Sequence, residues 1–196
     1  MWIISPLTCM SAIITKKYTN TKLDIPAFVY ALYTTIYSHY IYFLCRDIFL
    51  LNKQCVNTTN VEHIYWMAHG YSLYELYSSI SLLEYGYMIH SSTLFIGSTI
   101  ILYNKYFYYP IIFYLIETST IFLNLLVYKN IVFKLLFAAT FLFYRWLIIL
   151  PYFVYISDKL PTSILICGFI FNGLNLYWGS KIIYKLYQFS KDKKIE

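Results

Sequence analysis

Charged residues are scarce in this sequence. Asp, Glu, Lys and Arg make up 12% of its 196 residues, whereas a soluble domain carries about 25%. Hydrophobic residues make up 60%. Polar side chains are too few to cover the outside of a soluble core of this size. The composition therefore excludes an ordinary soluble domain and favours a protein whose surface faces lipid.

Familiar catalytic and metal-binding motifs are also missing. The sequence contains no phosphate-binding loop, no G-x-S-x-G elbow and no H-E-x-x-H motif. Its four cysteines show no C-x-x-C spacing, so we expect no bound metal and no resident cofactor. Cys45 and Cys55 flank one loop and are candidates for a disulfide if that loop is lumenal.

Long apolar segments are what the sequence has instead. Six of them have roughly the 20 residues that a helix needs to cross a bilayer. They cover residues 26–45, 64–83, 86–103, 107–128, 131–156 and 162–183. We therefore predict an all-α transmembrane bundle of six or seven spans, the seventh being residues 1–15 if that apolar segment also crosses.

The predicted domain organisation has three parts. Residues 1–24 form an N-terminal segment, which is either a short span or an interfacial helix. Residues 25–186 form the transmembrane domain, and residues 187–196 form a basic cytosolic tail. Nothing between the apolar segments has the composition of an interdomain linker.

Basic residues predict the orientation. With six spans, ten Lys fall on one side and four Lys or Arg on the other, and the cytosolic side is the richer one. The C-terminus is then cytosolic, and the glycosylation sequon at Asn57 falls in a lumenal loop. Lys193 and Lys194 resemble a dilysine retrieval signal of the endoplasmic reticulum membrane, although a basic tail that anchors the last helix has the same composition.

Ionisable side chains lie inside the apolar segments. His90, Glu117 and Arg145 are each near the middle of one, where an ionisable group costs roughly 2.5–3.5 kcal/mol. Chains tolerate this cost where the group faces a protein interior or a wet cavity. We predict that these three line a polar cavity with Arg145 as the partner of Glu117; the alternative is a purely structural network. Amide side chains lie in similar surroundings at Asn124, Asn172 and Asn175.

Helical spacing adds neighbours to this predicted cavity. Tyr71 and Glu75 are four residues apart and share a helix face. Glu117 and Asn124 are seven apart, which also places them on one face. Glu75 either lines the cavity, oriented by Tyr71, or pairs with a neighbouring His or Tyr to hold the bundle. Gly70 allows another helix to approach closely.

Four motifs in chain order resemble the TLC domain, a family named for the TRAM, Lag and CLN proteins. They are GYSLYEL at 70–76, MIHSS at 88–92, ETSTIFLNL at 117–125 and FLFYRW at 141–146. The resemblance covers roughly residues 25–186. It implies a multi-helix protein of the endoplasmic reticulum that senses, binds or adjusts membrane lipids, with His90, Glu117, Arg145, Glu75 and Asn124 at its cavity.

One departure from the family bears on catalysis. Ceramide synthases in it carry two adjacent histidines, whereas Ser91 follows His90 here. The fourth segment looks instead like the pattern of TLC-domain-containing proteins that influence membrane lipid composition. The resemblance therefore implies lipid homeostasis ahead of ceramide synthesis.

Two alternative functions remain open at this point. The first is a lipid acyltransferase that uses acyl-CoA, with His90 and Glu117 as catalytic residues. The second is a small transporter. Membrane lipids are the expected partners, no nucleic acid is expected, and we allow for a homo-oligomer.

Overall fold

The computed structural model describes residues 3–18, 23–45, 61–107 and 110–192, and every regular element within them is helical. The all-α prediction is confirmed for this part of the chain. Each of the six predicted apolar segments coincides with a helix to within three residues at either end, except that the last helix continues nine residues beyond the predicted 162–183. The described helices are α1 (Ile4–Tyr18), α2 (Ile25–Cys45), α3 (Glu62–Leu82), α4 (Tyr85–Asn104), α5 (Pro110–Tyr128), α6 (Ile131–Lys159) and α7 (Thr162–Asp192).

Six or seven membrane spans were predicted, but fewer helices have both the length and the apolar composition of a span. Among the described residues, α5 and α6 are long and apolar enough to cross a membrane, and Ile4–Thr15 is a shorter apolar helix. The other long helices carry more Tyr, Ser, Thr and charged residues, which hydropathy scales count as polar. The length and position of these helices match the prediction, and their mean hydropathy does not reach the level of α5 and α6.

The helices pack mainly as sequential pairs. α3 lies against α4, and α5 lies against α6; α2 packs on α5, and α4 packs on α7. Left-handed residues end α3, α4 and α5, at Leu83, Lys105 and Lys129. Their backbone N–H groups bond back to carbonyls of the preceding turn, which satisfies helix ends within short connections.

The N-terminal helix α1 is held against α3 by a close backbone contact. A Cβ on Gly70 would collide with the backbone carbonyl of Ser5, so only glycine permits this approach. The Ser5 hydroxyl also hydrogen-bonds with Nδ1 of His69 at 2.7 Å. The predicted role of Gly70 in close helix approach is confirmed, and the N-terminal segment is helical over Ile4–Tyr18.

Helix α6 changes its hydrogen-bond pattern in the middle. Residues Phe143–Ile149 form a π-helical turn between two α-helical parts. Pro151 follows this turn, has no N–H, and crowds the carbonyl four residues earlier, so the wider π pattern relieves the conflict. This π-helical turn contains Arg145.

Apolar side chains cover the outside of the bundle while polar ones lie inside. Leu147 is 69% exposed, whereas Arg145, two residues earlier on the same helix, is 6% exposed. Glu117 and Asn175 are also buried. In soluble proteins Arg and Glu are almost never fully buried unless they are paired.

Several predictions concern residues outside the described ranges. The sequon at Asn57, the cysteine at Cys55 and the retrieval signal at Lys193 and Lys194 all fall there. Helix α7 continues to Asp192, so much of the predicted basic tail, residues 187–192, is helical.

Candidate functional site

A polar cavity of about 300 Å³ lies inside the bundle. Five helices line it: the C-terminal halves of α3, α5 and α7, and the N-terminal halves of α4 and α6. These halves meet near the turns that follow α3 and α5. Five of the six side chains predicted for the cavity line it, namely Tyr71, Glu75, His90, Glu117 and Arg145.

Glu75 and His90 form the most direct contact between two ionisable side chains in this cavity. Nε2 of His90 lies 3.9 Å from Oε2 of Glu75, and the two side chains are 11% and 18% exposed, respectively. The ring of Tyr71, one turn before Glu75, stacks on Tyr30 of α2 at 4.1 Å between centroids. The His90 ring is packed in turn by aromatic rings of α7. This packing fixes the orientation of the imidazole and the carboxylate.

The Glu75–His90 contact leaves polar atoms unsatisfied. Within the described part of the chain, Oε2 of Glu75 and Nδ1 of His90 are buried without a hydrogen-bond partner. Each such atom costs about 1–3 kcal/mol, and folded proteins keep few of them. A carboxylate and an imidazole in this state can bind a hydroxyl, an amine or a proton, so this wall of the cavity is suited to a polar ligand.

Arg145, by contrast, has hydrogen-bond partners on two other helices. Its Nε donates to the hydroxyl of Ser119 at 3.3 Å, and its Nη1 donates to Oδ1 of Asn175 at 2.5 Å. Its guanidinium carbon lies 4.6 Å from the centroid of the Phe141 ring. Glu117 and Arg145 both line the cavity, but the hydrogen bonds of the guanidinium go to Ser119 and Asn175 and not to the predicted Glu117 carboxylate.

Asn124 does not line the cavity, although it was predicted to do so. Its amide nitrogen donates to the carbonyl of Thr120 on its own helix at 2.9 Å. The part of α5 that lines the cavity is a row of residues at intervals of three, Glu117, Thr120, Leu123 and Leu126. Asn124 is not part of this row, and its short amide side chain bonds locally instead. The spacing of seven residues from Glu117 therefore did not place Asn124 in the cavity.

Sequence reasoning did not assign the α7 wall of the site, although Asn175 was noted as an amide within an apolar segment. Asn175 holds Arg145, while Trp178, Lys181 and Lys185 line the cavity. The two lysines were assigned to membrane orientation alone. A usable signal was present, because Trp178, Lys181 and Lys185 follow a spacing of three and four residues and so share one helix face.

A second, apolar cavity of about 90 Å³ occupies the other half of the bundle. Its walls include the small residues Gly97 and Gly168 and the aromatic rings of Phe113, Phe153 and Phe171. Glu117 lines this cavity and the polar cavity alike. The carboxylate therefore lies at the boundary between the two.

Comparisons with known proteins give no relative for this chain. It matches no protein-family model, no curated protein and no solved structure. Within the described ranges, no group of three or more His, Cys, Asp or Glu side chains is placed to hold a metal ion. The resemblance to the TLC domain stays a prediction from the four sequence motifs.

Proposed function

We propose that this chain is a multi-pass, TLC-like protein of the endoplasmic reticulum membrane with a cytosolic C-terminus. It binds a membrane lipid in its polar cavity and so senses or adjusts lipid composition. The observation that carries the proposal is the convergence of Glu75, His90, Glu117 and Arg145 from four helices on one cavity. These helices are covered outside by large apolar side chains.

Membrane insertion is supported by the distribution of polarity. α5 and α6 have the length and composition of spans, and exposed apolar residues also occur on the other helices, such as Ile36 on α2 and Phe169 on α7. In hydrocarbon this surface carries no penalty, whereas in water it would promote aggregation. Buried ionisable groups in membrane proteins characteristically face the bundle interior.

Ligand binding is favoured over a purely structural network by the unsatisfied atoms. Arg145 contacts Ser119 and Asn175 of two other helices directly, as in a structural network, although Nδ2 of Asn175 is also buried without a hydrogen-bond partner. Glu75 and His90 instead keep unpartnered atoms beside a cavity whose volume is in the range of ligand sites. Because the bundle is covered by apolar surface, a membrane lipid is the ligand class with the readiest access.

Acyl transfer is the second candidate, favoured by the Glu75–His90 contact. A carboxylate beside an imidazole can orient it as a general base, and the imidazole can activate a hydroxyl or an amine. Acyl-CoA would then be the co-substrate. Lipid binding without acyl transfer requires only the polar cavity and its lining residues, so it is the function that we propose first.

The proposal is tested by comparing cellular lipids in cells that express three forms of the protein at equal levels. The forms are the wild type, a His90→Ala, Glu117→Gln double variant, and His39→Ala as control. His39 is also a half-buried histidine, but it bonds to the Tyr144 hydroxyl at 2.9 Å and does not line the cavity. We expect the wild type and the control to shift one lipid class relative to empty vector, and the double variant to lose that shift.

Identical lipid profiles in all three forms and in empty vector would contradict the proposal. The acyltransferase candidate is examined separately by incubating the purified protein with labelled acyl-CoA and a membrane lipid extract. A labelled product that His90→Ala abolishes and His39→Ala preserves would replace lipid binding with acyl transfer.

A further inference from the structure

One face of α7 lines both cavities in succession. The residues along this face are spaced by three or four positions, and Phe171 and Trp178 are separated by seven, so they follow one stripe of the helix. Ile164, Cys167, Gly168 and Phe171 line the apolar cavity. Trp178, Lys181, Ile182 and Lys185 line the polar one. The stripe therefore changes from apolar to cationic along its length.

The two cavities adjoin at the level of Glu117 and His90. Glu117 lines both of them. The ring centroid of His90 lies 5.2 Å from that of Phe171 and 5.6 Å from that of Trp178. His90 therefore contacts the last apolar residue and the first polar-cavity residue of the α7 stripe. The apolar and polar cavities therefore form two compartments placed end to end, and Glu117 and His90 lie where they meet.

Cationic groups dominate the far end of the polar compartment. Lys181 and Lys185 are exposed there, and in the described part of the chain neither forms an ion pair with a carboxylate. Nζ of Lys181 lies 4.3 Å from the centroid of the Tyr177 ring. Arg145 adds a third cation inside the compartment, and its hydrogen-bond partners are neutral side chains.

We propose that the two compartments together bind a single-chain amphiphile with an anionic headgroup. The phosphate or carboxylate lies among Lys181, Lys185 and Arg145, and the chain passes Glu117 into the apolar compartment. A second chain is excluded because that compartment, at about 90 Å³ and narrowed by aromatic rings, has room for no more than part of one. This inference rests on the proposed lipid-binding function and adds the headgroup charge and the number of chains.

The headgroup is tested with purified full-length protein in phosphatidylcholine nanodiscs. The probes are lysophosphatidate, oleate and monooleoylglycerol, each brominated near the headgroup, and the readout is quenching of Trp178 fluorescence, identified by its loss in Trp178→Phe. We expect the two anionic probes to bind about tenfold more tightly than the neutral one. The stronger anionic probe identifies phosphate or carboxylate as the preferred group.

Substitution of the two lysines separates a binding role from membrane anchoring. Lys181→Gln with Lys185→Gln is expected to weaken anionic probes about tenfold and to leave the neutral probe unchanged. Lys129→Gln with Lys134→Gln is the matched control, because these lysines are exposed and do not line the cavity. An equal effect of the two double variants, or none from either, would mean that Lys181 and Lys185 only anchor the helix, and it would overturn the headgroup inference.

The chain compartment is tested at Gly97. Gly173→Leu is the matched control, because Gly173 lines neither cavity and nothing lies within 4 Å of a Cβ built there. Gly97→Leu fills the apolar compartment and is expected to weaken oleoyl probes while octanoyl probes bind as before. Unchanged oleoyl binding in Gly97→Leu would overturn this placement of the chain.

The outcomes distinguish the inference from the function on which it rests. If anionic and neutral probes bind wild type equally, lipid binding stands and the headgroup inference fails. If no single-chain probe quenches Trp178, the ligand assignment fails here, and the cellular lipid comparison decides the proposed function independently.

Discussion

The polar and apolar halves of this bundle are built by the same five helices and handle polar groups in different ways. In the apolar half, the hydroxyls of Thr93 and Ser98 bond to carbonyls of their own helix, at 2.7 and 3.0 Å. In the polar half, Arg145 reaches two other helices for its partners. Hydroxyls are satisfied locally, whereas a guanidinium or carboxylate requires groups from elsewhere in the fold.

Both halves are also closed by a glycine of α7 against an aromatic ring of α6. A Cβ on Gly168 would collide with the Phe153 ring in the apolar half, and one on Gly179 would collide with Trp146 in the polar half. The two halves therefore share the same kind of contact between α6 and α7. The difference between the halves lies in the long-range polar contacts, and three sets of substitutions test it.

The largest effect is expected from Arg145→Met. Methionine fills much of the same volume but leaves Asn175 and Ser119 without their donor and Glu117 without the nearby cation, so we expect a loss of about 3–5 kcal/mol in unfolding free energy. Thermal unfolding of the detergent-solubilised protein measures it. Arg145→Lys keeps the charge but cannot donate from two nitrogens to Ser119 and Asn175. Its unfolding free energy should therefore lie between those of the wild type and Arg145→Met. Equal stability of all three proteins would show that the network contributes nothing to folding.

A smaller effect is expected from Asn175→Ala, with Asn124→Ala as its matched control. Asn175 accepts a hydrogen bond from a charged donor, so its removal should cost about 1.5–3 kcal/mol. Asn124 bonds only to its own helix among the described residues, and its removal should change stability by about 0.5 kcal/mol or less. The same unfolding assay compares them. If Asn124→Ala lowers the unfolding free energy more than Asn175→Ala does, hydrogen bonds within one helix matter more for stability than those between helices, contrary to our expectation.

The smallest effect is expected in the apolar half, from Gly168→Ala. The added methyl group overlaps the Phe153 ring, which should cost about 1–2 kcal/mol because the ring can partly shift. Gly173→Ala lies on the same helix with nothing within 4 Å of the new Cβ, and it should be neutral or stabilising by up to about 1 kcal/mol. Thermal unfolding again measures the pair. If Gly168→Ala is as stable as Gly173→Ala, the α6–α7 contact is looser than described.

Much of the architecture was predictable because it depends on local properties of the chain. Segment length and apolar composition located helices α2–α7, and the break before each helix follows from polar residues in the sequence. Glu75, His90 and Glu117 were found in the same way, because an ionisable residue within an apolar segment must face the interior. A close helix contact at Gly70 was predicted, but the sequence did not show that α1 would be the helix that makes it.

The site could not be completed from the sequence because it depends on how each helix is rotated against its neighbours. The cavity wall on α5 follows intervals of three residues, Glu117, Thr120, Leu123 and Leu126, and the interval of seven that linked Glu117 to Asn124 did not predict it. Arg145 was paired with the carboxylate of the preceding helix, Glu117, whereas its hydrogen bonds go to Ser119 and Asn175. Neither effect is encoded by residue type alone.

The sequence by itself determined that this protein is helical, that its exterior is apolar, and that a few ionisable residues must be buried together. These follow from the cost of exposing apolar side chains and of burying charges without partners. The tertiary structure alone decided which partners those residues have, and that Trp178, Lys181 and Lys185 belong to the cavity. It did so because contacts between helices depend on crossing and rotation, which arise only when all the helices pack together.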